Sequence, residues 1–164
     1  MAELYIVGQA PARTGDGRPF TGNSGKRLLS LFGWPSYDYM AVRVNLRNLL
    51  QEKAESLPSG RGDRFDMTAG RQEAARLLGH WFIFYPETHV VACGTKVYRC
   101  FTEIGWHEPF RGVSMHHRRY DTTVKVWYLP HPSGANDFWN NPRNVAAAKR
   151  FLRERLRNAA SSPI

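Results

Sequence analysis

The sequence predicts a three-layer α/β/α protein, in which helices cover both faces of a central, mostly parallel sheet of four strands. Short apolar runs alternate with helical segments along the chain, and strands joined by helices form parallel sheets. The length of 164 residues is sufficient for one buried core. Three predicted strands run into polar, loop-forming sequence: GQAP, VNLRN and PHPSG. We therefore expect one domain over residues 1–164, with one ligand site beyond the strand ends.

Two strands and two helices are predicted in the N-terminal half. Residues 4–7 (LYIV) form an apolar strand that is followed by a glycine. Leucines at helical spacing predict a helix over residues 23–33, which ends at a glycine. A second strand is expected at residues 39–44, and a polar loop separates it from a helix at residues 68–78.

The C-terminal half predicts two further strands and two helices. The strands lie at residues 88–92 and 124–129, and the helices at residues 97–104 and 142–158. The last helix begins with a proline, which is favoured in the first turn, and it carries apolar residues on one face. Because the carboxyl ends of parallel strands meet at one edge, the polar segments after the strands are expected to form the site together.

The charge of the chain predicts an anionic partner. There are 23 Lys and Arg residues against 14 Asp and Glu, which gives a formal charge of +9. Such a field attracts nucleic acid, so DNA, duplex or single-stranded, is the first partner to test. Cys93 and Cys100 match neither a zinc spacing nor a disulfide framework. The N-terminal residues lack a signal-peptide pattern and no apolar run reaches membrane-spanning length, so we expect a cytoplasmic monomer without membrane contact.

The first loop does not match the common phosphate-binding motifs. Its Gly25-Lys26 pair invites comparison with a P-loop, but Phe20 stands where the first glycine belongs and Arg27 where Ser or Thr must hold magnesium. The dinucleotide GxGxxG pattern is absent too. We therefore expect no nucleotide cofactor and no metal site.

The two polar segments GQAPA…GRPFTGNSG and LPHPSGAN resemble the signature loops of the uracil-DNA glycosylase superfamily. The order of elements is similar along nearly the whole chain, including an Asn after the second strand and a VVACG-like third strand. The resemblance implies a monofunctional DNA glycosylase that flips a nucleotide out of the duplex and hydrolyses the bond between base and deoxyribose. The base leaves as an anion, so fixed dipoles must stabilise it.

The resemblance also assigns roles to three side chains. His131 matches the histidine that stabilises the departing base, although such a histidine is also common in an ordinary turn. Phe20 matches the ring that stacks on the flipped base, or it is a core residue behind the loop. Asn45 matches the amide that reads the pyrimidine edge, or it caps a turn after the strand.

Two positions depart from the family pattern. Ala10 replaces the aspartate that positions water in the GQDPY version, and Ala12 replaces the tyrosine that closes the site beside C5 of the base. The missing ring leaves room for a substituent on C5. We therefore expect a C5-modified pyrimidine as substrate, hydroxymethylated or glucosylated as in hypermodified viral DNA, with uracil as a weaker candidate and an anti-phage or DNA-modification role.

The residue that handles the attacking water stays open among three candidates. Asp16 is the carboxylate of the first loop and would act as a base if the loop folds it inward. Asn23 lies where a related branch carries an acidic residue. Gln9 can orient water through its amide but takes up no proton at neutral pH.

Several residues near the two loops are candidate DNA contacts. Ser133 is suited to bind a backbone phosphate. The family inserts a bulky side chain after the HPS motif, where Ala135 is too small; Phe138 and Trp139 follow closely and either provide this wedge or anchor the last helix. Basic residues that include Arg18, Lys26 and residues 116–119 are expected in loops that contact phosphates.

Two other functions are also consistent with the sequence. A catalytically inactive DNA-binding member of the same fold is favoured by Ala10, while a hydrolase of free nucleosides would show no salt-dependent DNA affinity. An iron–sulfur branch of the superfamily needs four cysteines, and this chain has 2.

Overall fold

The computed structural model describes residues 2–11, 16–51 and 65–160. Its centre is a sheet of five strands in the order β2-β1-β3-β5-β4. Pairing is parallel between β2 and β1, β1 and β3, and β3 and β5, and antiparallel between β5 and β4. The strands are β1 (Glu3–Gly8), β2 (Asn45–Asn48), β3 (Glu87–Cys93), β4 (Gly112–His117) and β5 (Thr122–Leu129).

Five α-helices of the described chain cover the sheet. Side chains alternate between the two faces of the sheet along each strand, which divides the core into two layers. Leu4 and Ile6 belong to the core beneath α1, α2 and α5, whereas Tyr5 and Val7 belong to the core beneath α3 and α4. The predicted three-layer α/β fold is confirmed. The helices are α1 (Asn23–Phe32), α2 (Tyr37–Ala41), α3 (Met67–Phe84), α4 (Thr95–Thr102) and α5 (Pro142–Ala160).

Two parts of the expected secondary structure are corrected. Of residues 39–44, predicted as the second strand, 39–41 belong to α2 and 42–44 form the turn after it, because the Ser36 side chain accepts a hydrogen bond from the Tyr39 amide and caps a helix there. The strand follows only at Asn45–Asn48. The sheet also has a fifth strand, β4, that the expected four-stranded sheet lacked, so His116 and His117 lie in a strand and not in a loop.

Membrane-spanning segments were sought in the described parts of the chain. None of the helices there combines the length and the apolar character needed to cross a bilayer.

Candidate active site

A cavity of about 230 Å³ opens at the carboxyl edge of the sheet. Pockets for drug-sized ligands measure about 300 to 1,000 Å³, so this one suits a smaller molecule, of the size of a single ring system. Its described lining comes from the loop after β1, the start of α1, the end of β2 and the loop after β5: Gly8, Gln9, Ala10, Pro11, Phe20, Thr21, Gly22, Asn23, Ser24, Asn48, His131 and Ser133.

Backbone hydrogen bonds hold the loop after β1 at the mouth of the cavity. The Leu49 amide donates to the carbonyl of Gly8 and the Leu50 amide donates to the carbonyl of Gln9, each over 2.8 Å. These bonds extend the β1–β2 pairing beyond the strands. The polar segment that follows β1 is therefore fixed to the end of β2 instead of following an independent path.

Phe20 places its ring against the end of β1. A Cβ added to Gly8 would lie 2.9 Å from the Phe20 Cζ, so a side chain at position 8 would displace the ring. The Phe20 backbone has φ 56°, in the left-handed region, and its carbonyl oxygen occupies the space that a Cβ on Gly25 would need. The ring belongs to the core beneath α1 and also lines the cavity, so both predicted positions of Phe20 are found together.

The asparagine in the cavity is Asn48, not Asn45. Asn45 stands at the opposite end of β2, paired with Tyr5, and its amide donates to a Glu3 carboxylate oxygen over 2.8 Å and to the Leu4 carbonyl over 3.3 Å. Asn48 ends β2 beside the Phe20 ring and is only 4% exposed. Its Nδ2 has no hydrogen-bond partner within the described structure. A buried amide donor without a partner is costly, so this Nδ2 is available to an acceptor atom that enters the cavity.

His131 follows β5 and reaches the same cavity. Gly94 faces it at the start of α4 with φ 95°, and a Cβ there would lie 3.3 Å from the Cβ and Cδ2 of His131 and 3.7 Å from the Gln9 Nε2. Gly94 therefore gives His131 and Gln9 the space to lie side by side. The Trp139 indole donates to the His131 carbonyl oxygen over 2.8 Å, which fixes the backbone from which the imidazole extends.

The first turn of α1 lies at the edge of the cavity. Gly22 is the N-cap residue, so no side chain caps this end of the helix. The first amides of a helix lack intrahelical partners and carry a partial positive charge. Asn23 and Ser24, which line the cavity, belong to this turn, so the turn favours negative charge or acceptor atoms on a ligand.

No carboxylate lies among the described lining residues. Asp16 is exposed and outside the cavity; the Arg18 backbone amide and guanidinium bind its carboxylate and hold its pKa below the usual range. The structure therefore does not bring Asp16 to the site as a base. Ala10 does line the cavity, at the position where the family carries aspartate. Ala12 lies outside the described residues.

The predicted DNA contacts fall into two groups: candidates for phosphate binding and candidates for the wedge. In the first group, Ser133 lines the cavity mouth, while Arg18 and Lys26 are exposed near the same edge. Ala135 is exposed and too small to fill a gap in a duplex. Trp139 is 4% exposed, and Phe138 contacts the Trp139 ring at 4.9 Å between centroids.

The wedge role of Trp139 is therefore corrected, because a buried ring that anchors the loop after β5 is unable to enter DNA. Phe138 also packs against the core. Of the two alternatives for this pair, the anchoring one agrees with the structure.

Metal ligands were sought across the described ranges 2–11, 16–51 and 65–160. No group of three or more His, Cys, Asp or Glu side chains there is arranged to hold an ion. Among the described lining residues, the chemistry thus rests on amides, hydroxyl groups, one imidazole and one aromatic ring.

These features define a class of protein: an α/β fold with a base-sized cavity at the carboxyl edge, built from the loops after its first and last strands. The chain belongs to the uracil DNA glycosylase superfamily, whose sequence model matches residues 1–156. Members of this superfamily are DNA glycosylases, so the family acts on DNA. The resemblance inferred from the two signature loops is confirmed. A search of curated proteins gives no match.

Proposed function

We propose that this chain is a single-domain DNA glycosylase that binds an extruded pyrimidine in the cavity at the carboxyl edge and hydrolyses its N-glycosidic bond. The observation that carries the proposal is the buried Asn48 amide, whose Nδ2 lacks a partner and which shares one cavity with the Phe20 ring and His131. A pyrimidine offers a flat face for the ring and a polar edge for the amide.

The proposed reaction breaks the bond between the sugar C1′ and the base N1. Electrons of that bond move to the base, which departs as an anion, and a water oxygen bonds to C1′. One proton of the water passes to the base or solvent, and the other stays on the new C1′ hydroxyl. His131 and the backbone amides of the loop after β1 would stabilise the anion. Gln9 and Asn23 line the cavity and are the candidates to orient the water, since Asp16 lies outside it. Their amides position water without taking up its proton, which suits a transition state in which the glycosidic bond is largely broken.

The preferred base is proposed to carry a substituent on C5. Ala12 stands in the sequence where the family's tyrosine closes the space beside C5. The hydroxyls and amides of Thr21, Asn23 and Ser24 line the cavity and suit a polar substituent more than a methyl group. A hydroxymethylated pyrimidine of viral DNA fits this lining, whereas the sugar of a glucosylated one would have to project out of the cavity of about 230 Å³. An anti-phage or DNA-modification role would follow from either base.

A substrate panel tests the function. Duplexes that carry uracil, thymine, hydroxymethyluracil or glucosylated hydroxymethylcytosine are incubated with the protein, and the released bases are identified by mass spectrometry. We expect release of the C5-modified bases and retention of thymine. Release of uracil alone would reject the C5 proposal, while release of no base at all would reject the glycosylase.

A second candidate function is a DNA-binding protein that has lost catalysis. Ala10 favours it, because the cavity has no carboxylate at the position where the family carries one. This candidate predicts tight, salt-dependent binding to duplexes with an extruded base and no base release under single-turnover conditions.

A further inference from the structure

The exposed large apolar side chains of the described chain fall into two groups by their place on the sheet. They are Val42, Ile83, Phe84, Trp106 and Tyr120. Val42 precedes β2, Ile83 and Phe84 precede β3, and Tyr120 precedes β5, so these four lie toward the amino edge. Trp106, which is 67% exposed, belongs to the segment that leads into β4.

The start of β4 lies at the carboxyl edge, because β4 runs antiparallel and its Gly112 pairs with Trp127 near the end of β5. The Phe110 amide donates to the carbonyl of Tyr128 over 2.8 Å, so the preceding segment is bound to the last residues of β5. Trp106 therefore approaches the edge that carries the cavity.

His107 fixes the position of its neighbour Trp106 more closely. The His107 Nε2 lies 3.2 Å from the Thr95 hydroxyl oxygen, and the imidazole packs edge-on against the Tyr128 ring with 4.5 Å between centroids. Thr95 directly follows Gly94, which lies next to His131. The contacts of His107 thus hold the segment near the cavity, while Trp106 is exposed to solvent.

We propose that Trp106 inserts into the duplex and stacks in the gap that the extruded nucleotide leaves. The inference rests on the proposed function, which brings DNA to the carboxyl edge. Base flipping leaves an unstacked gap, and a large side chain that fills it prevents the base from returning. Ala135 is too small for this task and Trp139 is buried, whereas Trp106 offers an exposed ring on an anchored segment. Because the gap exists only in a duplex, the preferred partner is double-stranded DNA.

The test compares binding to two duplexes of equal length, one fully paired and one with a tetrahydrofuran abasic analogue that presents a gap and no base. Fluorescence anisotropy gives the dissociation constants of the wild type, W106A and W106F, with F84A as the control at the amino edge, where Phe84 is 64% exposed. We expect W106A to lose about 5- to 100-fold in affinity for the gap duplex. W106F should keep most of the affinity, and F84A all of it.

The outcomes separate this inference from the proposed function. Equal affinity of W106A and the wild type for the gap duplex overturns the inference, as does an equal loss by W106A on both duplexes, which would mark a general contact. Should W106A fail to show native cooperative unfolding, W106Q is measured beside W106F on the gap duplex. A loss at least about fivefold larger in W106Q than in W106F supports a stacking ring, and a smaller difference refutes it. Binding by the wild type without base release contradicts the glycosylase alone, whereas no binding to either duplex contradicts both proposals.

Discussion

The indole of Trp139 holds the backbone of His131: its Nε1–H donates to the His131 carbonyl oxygen over 2.8 Å. The Arg27 guanidinium of α1 lies 5.4 Å from the centroid of the same Trp139 ring. The helix whose first turn lines the cavity is thus connected to the loop that carries the imidazole. Trp139 acts here as a positioning residue, since its buried ring does not itself line the cavity.

Replacing Trp139 by Phe should lower the rate of base release without weakening DNA binding. The variant keeps an aromatic ring but removes the Nε1–H, so the His131 backbone loses a bond worth about 1 kcal/mol. We expect the single-turnover rate to fall by about tenfold, less than the roughly 100-fold that a misplacement of about 1 Å can cost. W34F is the matched control, since the Trp34 ring stacks on Phe32 away from the cavity. An equal fall in both variants would contradict the positioning role.

Removal of the Asn48 amide should reduce base release while leaving the fold intact. The Asn48 Nδ2 has no partner in the described structure, so N48A deletes a donor that does not contribute a hydrogen bond to folding. Loss of a contact to the leaving base should cost about 100-fold or more in rate.

N45A is the matched control for this prediction. Asn45 donates to Glu3 and Leu4 at the other end of β2, so its loss should lower stability slightly and leave base release unchanged. Rates from single-turnover assays and unfolding midpoints in urea distinguish the two variants. A larger rate loss in N45A than in N48A would return the base-reading role to Asn45.

The base-reading asparagine was wrongly assigned to Asn45 because the local sequence pattern does not reveal where the second strand ends. The apolar residues near position 40 predicted a strand, but the cap at Ser36 begins α2 there, and the real strand NLRN is polar and short because it lies at the sheet edge. The asparagine assigned to the site therefore fell three residues too early, which is about 10 Å along a strand. The resemblance of the two signature loops predicted that Phe20 and His131 share one cavity, and both residues line it.

Other features depend on contacts between distant segments. The strand β4 has alternating, half-polar residues at the outer edge, so it has no apolar run to mark it. Trp106 has no motif to mark it in the sequence. Contacts of its neighbours Phe110 and His107 bring its segment to the carboxyl edge. The sequence therefore predicted the three-layer fold and the two loops that line the cavity. Tertiary contacts determine that Asn48 lies in the cavity and that Trp106 lies near it.

Substitution of Gly25 by Ala should unfold the protein or expel Phe20 from its place. A Cβ at position 25 would lie 1.6 Å from the Phe20 carbonyl oxygen, which is backbone and cannot rotate away. We expect a loss of at least about 3 kcal/mol in the free energy of unfolding. Gly79 within α3 is the matched control, since nothing lies within 4 Å of its added Cβ. G79A should gain about 0.5 to 1 kcal/mol from helix propensity, and similar urea midpoints for the two variants would contradict this account.

Binding to DNA should depend on salt through residues at the carboxyl edge. Lys26 is exposed on α1, two residues after the cavity-lining Ser24, whereas Arg118 is exposed beyond β4 at the amino edge. Each lost phosphate contact lowers the slope of log affinity against log salt by about 0.9. K26Q should show this reduction and R118Q should keep the wild-type slope when a gap duplex is titrated at several salt concentrations. The reverse pattern would place the duplex at the amino edge.

A buried histidine far from the cavity should make stability depend on pH. His89 is 3% exposed, its Nδ1 accepts a bond from the Trp127 indole over 3.3 Å, and its Nε2 lies 3.1 Å from a Glu87 carboxylate oxygen. These partners fit a neutral ring that carries its proton on Nε2. Protonation of Nδ1 would break the Trp127 bond and add charge near the cations of Lys125 and Arg155.

Burial lowers the pKa of His89, although the Glu87 carboxylate opposes the shift. Above about pH 6.5 the ring is neutral in both the folded and unfolded chains, so stability there does not depend on it. As the pH falls below that value the unfolded chain takes up a proton and the folded chain does not, so the free energy of unfolding decreases until the lower pKa of the folded protein is passed. Urea unfolding of H89Q should lose this decrease below about pH 6.5, while H80Q, which removes an exposed histidine, should retain it. An unchanged slope in H89Q would assign the decrease to other groups.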